Sequence, residues 1–335
     1  GNEKASLWAD AKQQAEIERE KWPYAFVASK HYPIQRGCVS GKLTVYDEGS
    51  SEPAKQAYVI LAKPGSAGSW QTETKGYQFW NKTDDSGNFA INKVIPGEYN
   101  LYAYVPGYIG DYKHDTVLTI TPLEDTNLGE IVYNPPRNGP TLWEIGTPDR
   151  SAAEYFVPQV NPNYINKLYI KSERFRQYGI WERYAEMYPE DDLVFTIGTS
   201  DSGRDWFYAQ VTRSIGNNTY EGTTWQINFN LRNVYGGGKY FLTVALASAS
   251  VAELQIRVND RTTGRPLFST GVIGHDNTIA RHGIHGLYRL YTVGVPGTQM
   301  REGLNTVYLT QTRSVSPFQG VMYDYLRFEG PVVRY

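Results

Sequence analysis

A mainly β chain, one helix followed by two sandwiches, is what the sequence predicts, and three observations predict it. From residue 37 onward apolar residues recur at every second position, the spacing that puts one face of a strand inward. Such segments return at roughly 10- to 15-residue intervals as far as Val321–Phe328, separated by turns rich in Gly, Pro, Asp and Asn. Only residues 4–21 run without Gly or Pro in a helical pattern.

In that first segment Leu7, Trp8, Ala11, Ala15 and Ile17 sit among Glu, Lys and Gln, and Trp22-Pro23 ends it. Residues 1–33 are thus expected to form a helical lead-in. Its apolar stripe calls for a surface, either a neighbour or the chain's own body. Residues 34–134 change to period two. Val39, Gly41, Leu43 and Val45 alternate with polar residues, and Tyr99, Leu101, Ala103 and Val105 do so again, as half-buried strands. Between them lie the Thr83–Phe89 turn, with Asp84, Asp85 and Gly87, and the Ile95-Pro96-Gly97 turn. This order of strands and turns resembles the small seven-stranded sandwiches of the fibronectin type III or transthyretin-like kind. Side-chain capping explains Asp84 and Asp85 more simply than a calcium loop. The single cysteine, Cys38, excludes an internal disulfide and reads as a buried strand thiol.

Three prolines and a glycine in Asn134–Pro140 cannot continue a ladder, which predicts a stiff linker and a domain boundary. Residues 135–335 then form the larger unit. Phe175, Tyr178, Trp181 and Ala185 have helical spacing, a short excursion. Afterwards Trp225, Ile227, Phe229 and Leu231 alternate with polar residues, as do Leu254, Ile256 and Val258, with Gly236-Gly237-Gly238 as a turn. A jelly-roll, galactose-binding-like sandwich is expected.

Composition narrows the partners. The 335 residues carry a formal charge of -2, which gives no basic field for nucleic acid or anionic membrane. No run of about 18 apolar residues suggests a membrane span. The chain begins at Gly1 without a signal-peptide pattern, and is read as an excised or processed fragment. Asn81-Lys82-Thr83 and Asn217-Asn218-Thr219 are glycosylation acceptors if the chain is secreted, which makes Asn81 and Asn217 the candidates. Aromatic content is 14%, with 27 Tyr and 8 Trp. Such rings stack on sugars, and they also pack well between strands, so two readings stay open.

Ala280–Gly286 holds His282 and His285 beside Arg281, with His275 and Asp276 just upstream. A metal site, a binding loop whose Arg281 and His282 face an anionic sugar, and a structural loop are the alternatives. Trp206 and Tyr288, in loops 200–206 and 275–289 that would touch a polymer at an active cleft, join the carbohydrate-binding candidates. Asp324 stands between aromatics in the closing strand. With Glu144 or Glu154 it is a candidate structural calcium site, and a salt bridge to Arg327 is the alternative. Glu182, Glu186, Glu190, Asp191 and Asp192 read as a solvated acidic run. No nucleophile elbow, phosphate loop or Cys/His pair with metal-ligand order occurs, so no catalytic residue is expected.

Several ordered segments carry a resemblance. Gly68–Glu73, Gly76–Trp80, Gly107–Tyr112, Gly139–Glu144, Phe175–Gly179, Asp205–Val211, Gly222–Gln226 and Phe318–Tyr325 resemble those of plant-type rhamnogalacturonan lyases, and so do Pro136–Gly146 and Glu173–Glu186. The resemblance implies the C-terminal half of a secreted, extracellular, cell-wall enzyme: a fibronectin type III-like domain and a carbohydrate-binding-like jelly roll behind an N-terminal catalytic domain. The family's reaction is β-elimination at galacturonate in the pectic backbone. Its catalytic lysine and histidine belong to the domain this chain lacks, and no residue here takes their place. The implied partners are rhamnogalacturonan I and the catalytic domain of the same precursor. Three roles follow: an accessory half that binds or positions the polymer, a segment of the active cleft, or a structural module without ligand.

Overall fold

The computed structural model describes residues 2–160, 162–167, 177–262, 264–276, 279 and 286–332. The chain divides into two compact units, one of residues 1–105 and 111–135, the other of residues 106–110 and 136–335.

The first unit opens with helix α1, Asn2–Lys21, which stops just before Pro23 as proline's missing amide and fixed φ require. Leu7 and Trp8 are 66% and 65% exposed, and the helix is not amphipathic, so it lacks the expected apolar stripe. Nine strands follow: β1 Gly37–Asp47, β2 Ser50–Pro53, β3 Tyr58–Ala62, β4 Phe79–Lys82, β5 Asn88–Val94, β6 Gly97–Tyr104, β7 Tyr112–Lys113, β8 Leu118–Ile120 and β9 Asp125–Tyr133. Sheet one has the order β2-β1-β5, with β9 added to β1 in parallel; sheet two runs β4-β3-β6-β7, with β8 added to β6. The count exceeds seven because short edge pieces such as β2 and the two-residue β7 extend the sheets.

Val39, Leu43 and Val45 of β1 face the core as their alternation requires. Strand β6 departs from it. Tyr102 and Asn100 are as buried as Leu101 and Ala103, because Trp70, from the short helical turn Ser69–Thr72, packs with Tyr102, Ile60 and Ala62 on the second face. Cys38 is half-buried, not buried: its Sγ donates to Asn92 Oδ1 at 2.9 Å. Asp84 caps its own turn, accepting the amides of Ser86 (2.9 Å) and Asn88 (2.8 Å) and the Asn88 side-chain amide (3.0 Å).

The second unit is a larger sandwich. Its strands are β10 Thr141–Gly146, β11 Val194–Thr196, β12 Gln210–Val211, β13 Arg213–Gly216, β14 Thr219–Glu221, β15 Thr223–Leu231, β16 Lys239–Ala252, β17 Leu254–Val258, β18 Phe268–Ser269, β19 Ile273–His275, β20 Arg289–Pro296, β21 Gly303–Gln311 and β22 Gly320–Glu329. One sheet has the order β10-β22-β16-β19, with β12 on β22 and β20 on β16; the other has β11-β15-β21-β17-β18, and β13–β14 form a separate hairpin. The fully buried Gln210 ties the sheets together. Its amide donates to Thr223 O (3.0 Å) and Leu309 O (2.8 Å), and its carbonyl accepts Tyr323 Oη at 2.6 Å.

Every residue of β22 is buried, which a one-faced sheet strand would not show. The proline-rich stretch supplies the missing cover. Arg327 donates to Pro136 O at 2.6 Å and pairs with Glu329 at 3.2 Å, while Glu329 accepts the Asn138 backbone and side-chain amides at 3.0 and 3.1 Å. A Cβ at Gly139 would stand 2.0 Å from Gly330 O, so only glycine permits this approach. Residues Pro106–Gly110 cover more of the same outer face: Ile109 packs with Ala245, Tyr288 and Tyr325, Gly107 donates to Pro148 O (2.9 Å) and Arg150 donates to Gly110 O (3.1 Å).

Candidate functional site

Sequence candidates meet different fates. Arg281, His282 and His285 lie outside the described residues. The two stems of their loop are drawn together by Asp276, whose carboxylate accepts Ser248 Oγ at 2.5 Å and the Leu287 amide at 3.4 Å. Trp206 is 0% exposed, edge-on to Trp225 (5.1 Å) and Tyr323 (5.3 Å), so neither of its faces is open to a sugar. Tyr288 is 8% exposed; Arg150 lies over its ring at 4.2 Å, and its hydroxyl accepts the Gly110 amide at 3.3 Å. It secures the 106–110 segment. Asn217 is exposed at the β13–β14 turn, and Asn81 is exposed on the edge strand β4, its amide donating to Ala90 O at 2.8 Å.

Of the two carboxylates paired with Asp324 as calcium-site candidates, Glu144 is engaged elsewhere, whereas Glu154 stands close enough for its charge to act on Asp324. Glu144 accepts Tyr325 Oη at 2.6 Å, and Tyr325 belongs to the outer cluster with Ala245 and Tyr288. Asp324 occupies an irregularity where two residues of β22 face one step of β16. Its Oδ1 accepts the Asp149 and Arg150 amides at 3.0 and 2.6 Å. Nor does Asp324 bind Arg327, which pairs instead with Glu329. Burial, reinforced by the Asp149 charge, holds the Asp324 carboxyl well above the usual carboxylate range. Glu154 accepts the Thr147 amide through Oε1 at 2.7 Å, its Oε2 is buried without a partner, and burial raises its pKa to about 7. Among the described residues no group of three or more His, Cys, Asp or Glu side chains is arranged to hold a metal ion.

The acidic run is not uniformly solvated. Asp192 has a side chain only 9% exposed and binds Arg213, Tyr184 Oη (2.9 Å) and the Thr224 amide (2.6 Å), with Glu221 completing the cluster 2.6 Å from Arg213. Nearby, a cleft of about 360 Å³ is walled by Trp181, Tyr220, Glu182 and Glu186. Its carboxylates make it unfavourable to an anionic ligand.

A second cleft, of about 380 Å³, has the opposite charge. Arg257 on β17, Arg265 and Arg301 line it with Gln299 and a single carboxylate, Asp260. Sequence reasoning missed it because the three arginines are separated along the chain and meet only through the β17–β21 pairing and the turns beyond it.

On the first unit, the face of β4-β3-β6 opposite its core bears a row of rings. Tyr58 stacks on Tyr104 at 4.7 Å and 11°, Trp70 on Tyr104 at 6.0 Å and 6°, and Trp80 leans on Tyr58 at 5.7 Å. Trp80 is 60% exposed, and Lys82 sits over Tyr58 at 4.4 Å.

Fold and clefts define a tandem β-sandwich protein with a cationic cleft on the second unit. The chain belongs to polysaccharide lyase family 4: residues 54–128 match the model of the family's domain II, and residues 141–328 match the CBM-like model of its domain III. It is 31% identical over 336 residues to the rhamnogalacturonate lyase of Dickeya dadantii, covering 97% of this chain and 49% of that protein. It is 30% identical over 229 residues to a probable rhamnogalacturonate lyase B of Aspergillus fumigatus, covering 65% and 33%. Rhamnogalacturonate lyase B of Emericella nidulans is 24% identical over 337 residues, covering 88% and 48%. The chain therefore spans at most about half the length of these curated relatives. They are bacterial and fungal, so they carry the family and lend nothing to a plant-type label.

Proposed function

We propose that this chain is the accessory half of a rhamnogalacturonan lyase, binding or positioning rhamnogalacturonan I for β-elimination by an N-terminal catalytic domain of the same precursor. The observation that carries the reading is the alignment of 97% of the chain with 49% of a rhamnogalacturonate lyase, over residues that match domains II and III of the family. Elimination removes the proton next to the galacturonate carboxylate. A polymer held by one module is presented to a tethered neighbour at high effective concentration, which needs no catalytic group in the holding module. The partly exposed ring row and the cationic cleft are surfaces suited to the sugar faces and carboxylates of such a polymer. With a cell-wall polymer as partner, the working location is extracellular.

A structural role without ligand is the second reading, and the burial of the aromatic residues of the second sandwich favours it. The purified chain, with and without calcium, is mixed with rhamnogalacturonan I while polymer retention and the absorbance of unsaturated product are followed. Retention without product supports the accessory reading. Product contradicts it, and absence of both favours the structural module.

A further inference from the structure

We infer that the arginine-lined cleft of the second sandwich is a subsite for the carboxylate of an acidic sugar. This deepens the proposed function and rests on it for the sugar, while the anion site itself rests on geometry. Arg257, Arg265 and Arg301 line the cleft against one acid, Asp260, which already accepts the Thr262 amide at 3.0 Å. Among the described residues none of the three guanidinium groups forms an ion pair. Arg257 donates to Gln255 Oε1 at 3.1 Å, and its Nε is buried without an acceptor. Arg301 reaches only the Asn259 carbonyl, at 3.2 Å. Converging cations repel one another, and a carboxylate in the cleft relieves that repulsion. The guanidinium fork also matches a carboxylate with two parallel hydrogen bonds.

The cleft is held in shape before any ligand arrives. Asn259, in the left-handed region at φ 59°, donates to Gln299 O at 2.7 Å and Asn305 Oδ1 at 2.8 Å, and accepts the Thr306 amide at 2.8 Å. The fully buried Asn305 in turn accepts the Arg301 amide at 3.0 Å and donates to the Arg301 carbonyl at 2.7 Å. Two asparagines thus fix the backbone that carries Arg301 and Gln299 against β17. Gln299 is exposed and supplies an amide for sugar hydroxyls. The volume of about 380 Å³ lies within the roughly 300–1,000 Å³ typical of small-ligand sites.

The test uses the intact chain, with oligogalacturonate, its methyl ester and inorganic phosphate as titrants. The variants are Arg265→Ala/Arg301→Ala and Arg265→Glu alone, at exposed side chains, with thermal melting checked for each. The acidic oligomer is expected to bind, the ester at least tenfold more weakly, and the variants at least tenfold more weakly at an unchanged melting temperature. Equal binding of ester and acid, or unchanged affinity in both variants, overturns the subsite. Phosphate as effective as the oligomer overturns the sugar assignment. Retention on rhamnogalacturonan I with unaltered variant affinity sinks the cleft and spares the accessory reading. Arginine-dependent oligomer binding without polymer retention does the reverse.

Discussion

The two sandwiches arrange their aromatic residues differently. In the first, Trp70, Tyr104, Tyr58 and Trp80 form a row on the outer side of a sheet, with Trp80 60% exposed. In the second, Trp143, Trp206, Trp225, Tyr184, Tyr208 and Tyr323 fill the core. A composition of 14% aromatics therefore merges two populations, and only position separates rings that brace a fold from rings that face solvent. Where the second sandwich has an open cleft suited to acidic ligands, arginines line it and, among the described residues, no aromatic ring does.

Substitution separates the populations by stability. Trp206→Ala is expected to cost about 3–5 kcal/mol, the usual range for a large aromatic removed from a packed core, whereas Trp80→Ala costs less than about 1 kcal/mol because its ring is mostly solvated. Equal losses in denaturant unfolding would erase the distinction. Asp192→Ala strands the Arg213 guanidinium beside Tyr184 and Thr224, with a loss of about 3–5 kcal/mol expected on breaking a buried pair. Glu221, still bound to Arg213 but with a side chain 44% exposed, is expected to recover only part of it.

Glu154 gives a pH signature confined to the second sandwich. Its carboxyl rises from 4.5 in the unfolded chain to about 7 in the folded one, chiefly through burial. The folded state then holds the proton more tightly, so the stabilisation is complete below about pH 4.5 and is lost as pH rises through about 7. Integrated over that window the loss is about 3 kcal/mol. Glu154→Gln is expected to lessen this decline in melting temperature between pH 4.5 and 7, the remainder coming from Asp324, whose carboxyl burial also raises; an unchanged slope would place the titration elsewhere. The smallest effect sharpens the contrast from the ligand side: Trp80→Ala is expected to reduce polymer retention a few-fold, on the scale of one lost stacking contact, measured by affinity electrophoresis.

Much of the fold was legible because it depends on local rules. The helix stops before Pro23, β1 buries Val39, Leu43 and Val45 in alternation, and Asp84 caps its turn. The rest depends on what covers each face. Strand β22 is buried on both sides because Pro136–Asn138 lies along it, and no periodicity reveals that cover. Glu144 and Asp324 both stand in strands, yet one bonds Tyr325 of the outer cluster and the other sits at a register irregularity, a difference that sequence position alone does not show. The arginine cleft is a product of strand pairing between residues far apart in the chain, and only the backbone could assemble it.

Calorimetric titration of rhamnogalacturonan I oligosaccharides into the intact chain tests the central claim most directly, with Trp80→Ala and Arg265→Ala/Arg301→Ala run alongside. The account predicts saturable binding by the parent chain, weakened in both variants, with no unsaturated product formed. Heat-silent titration at oligosaccharide concentrations that saturate known carbohydrate-binding proteins, or formation of unsaturated product by the chain alone, would contradict it.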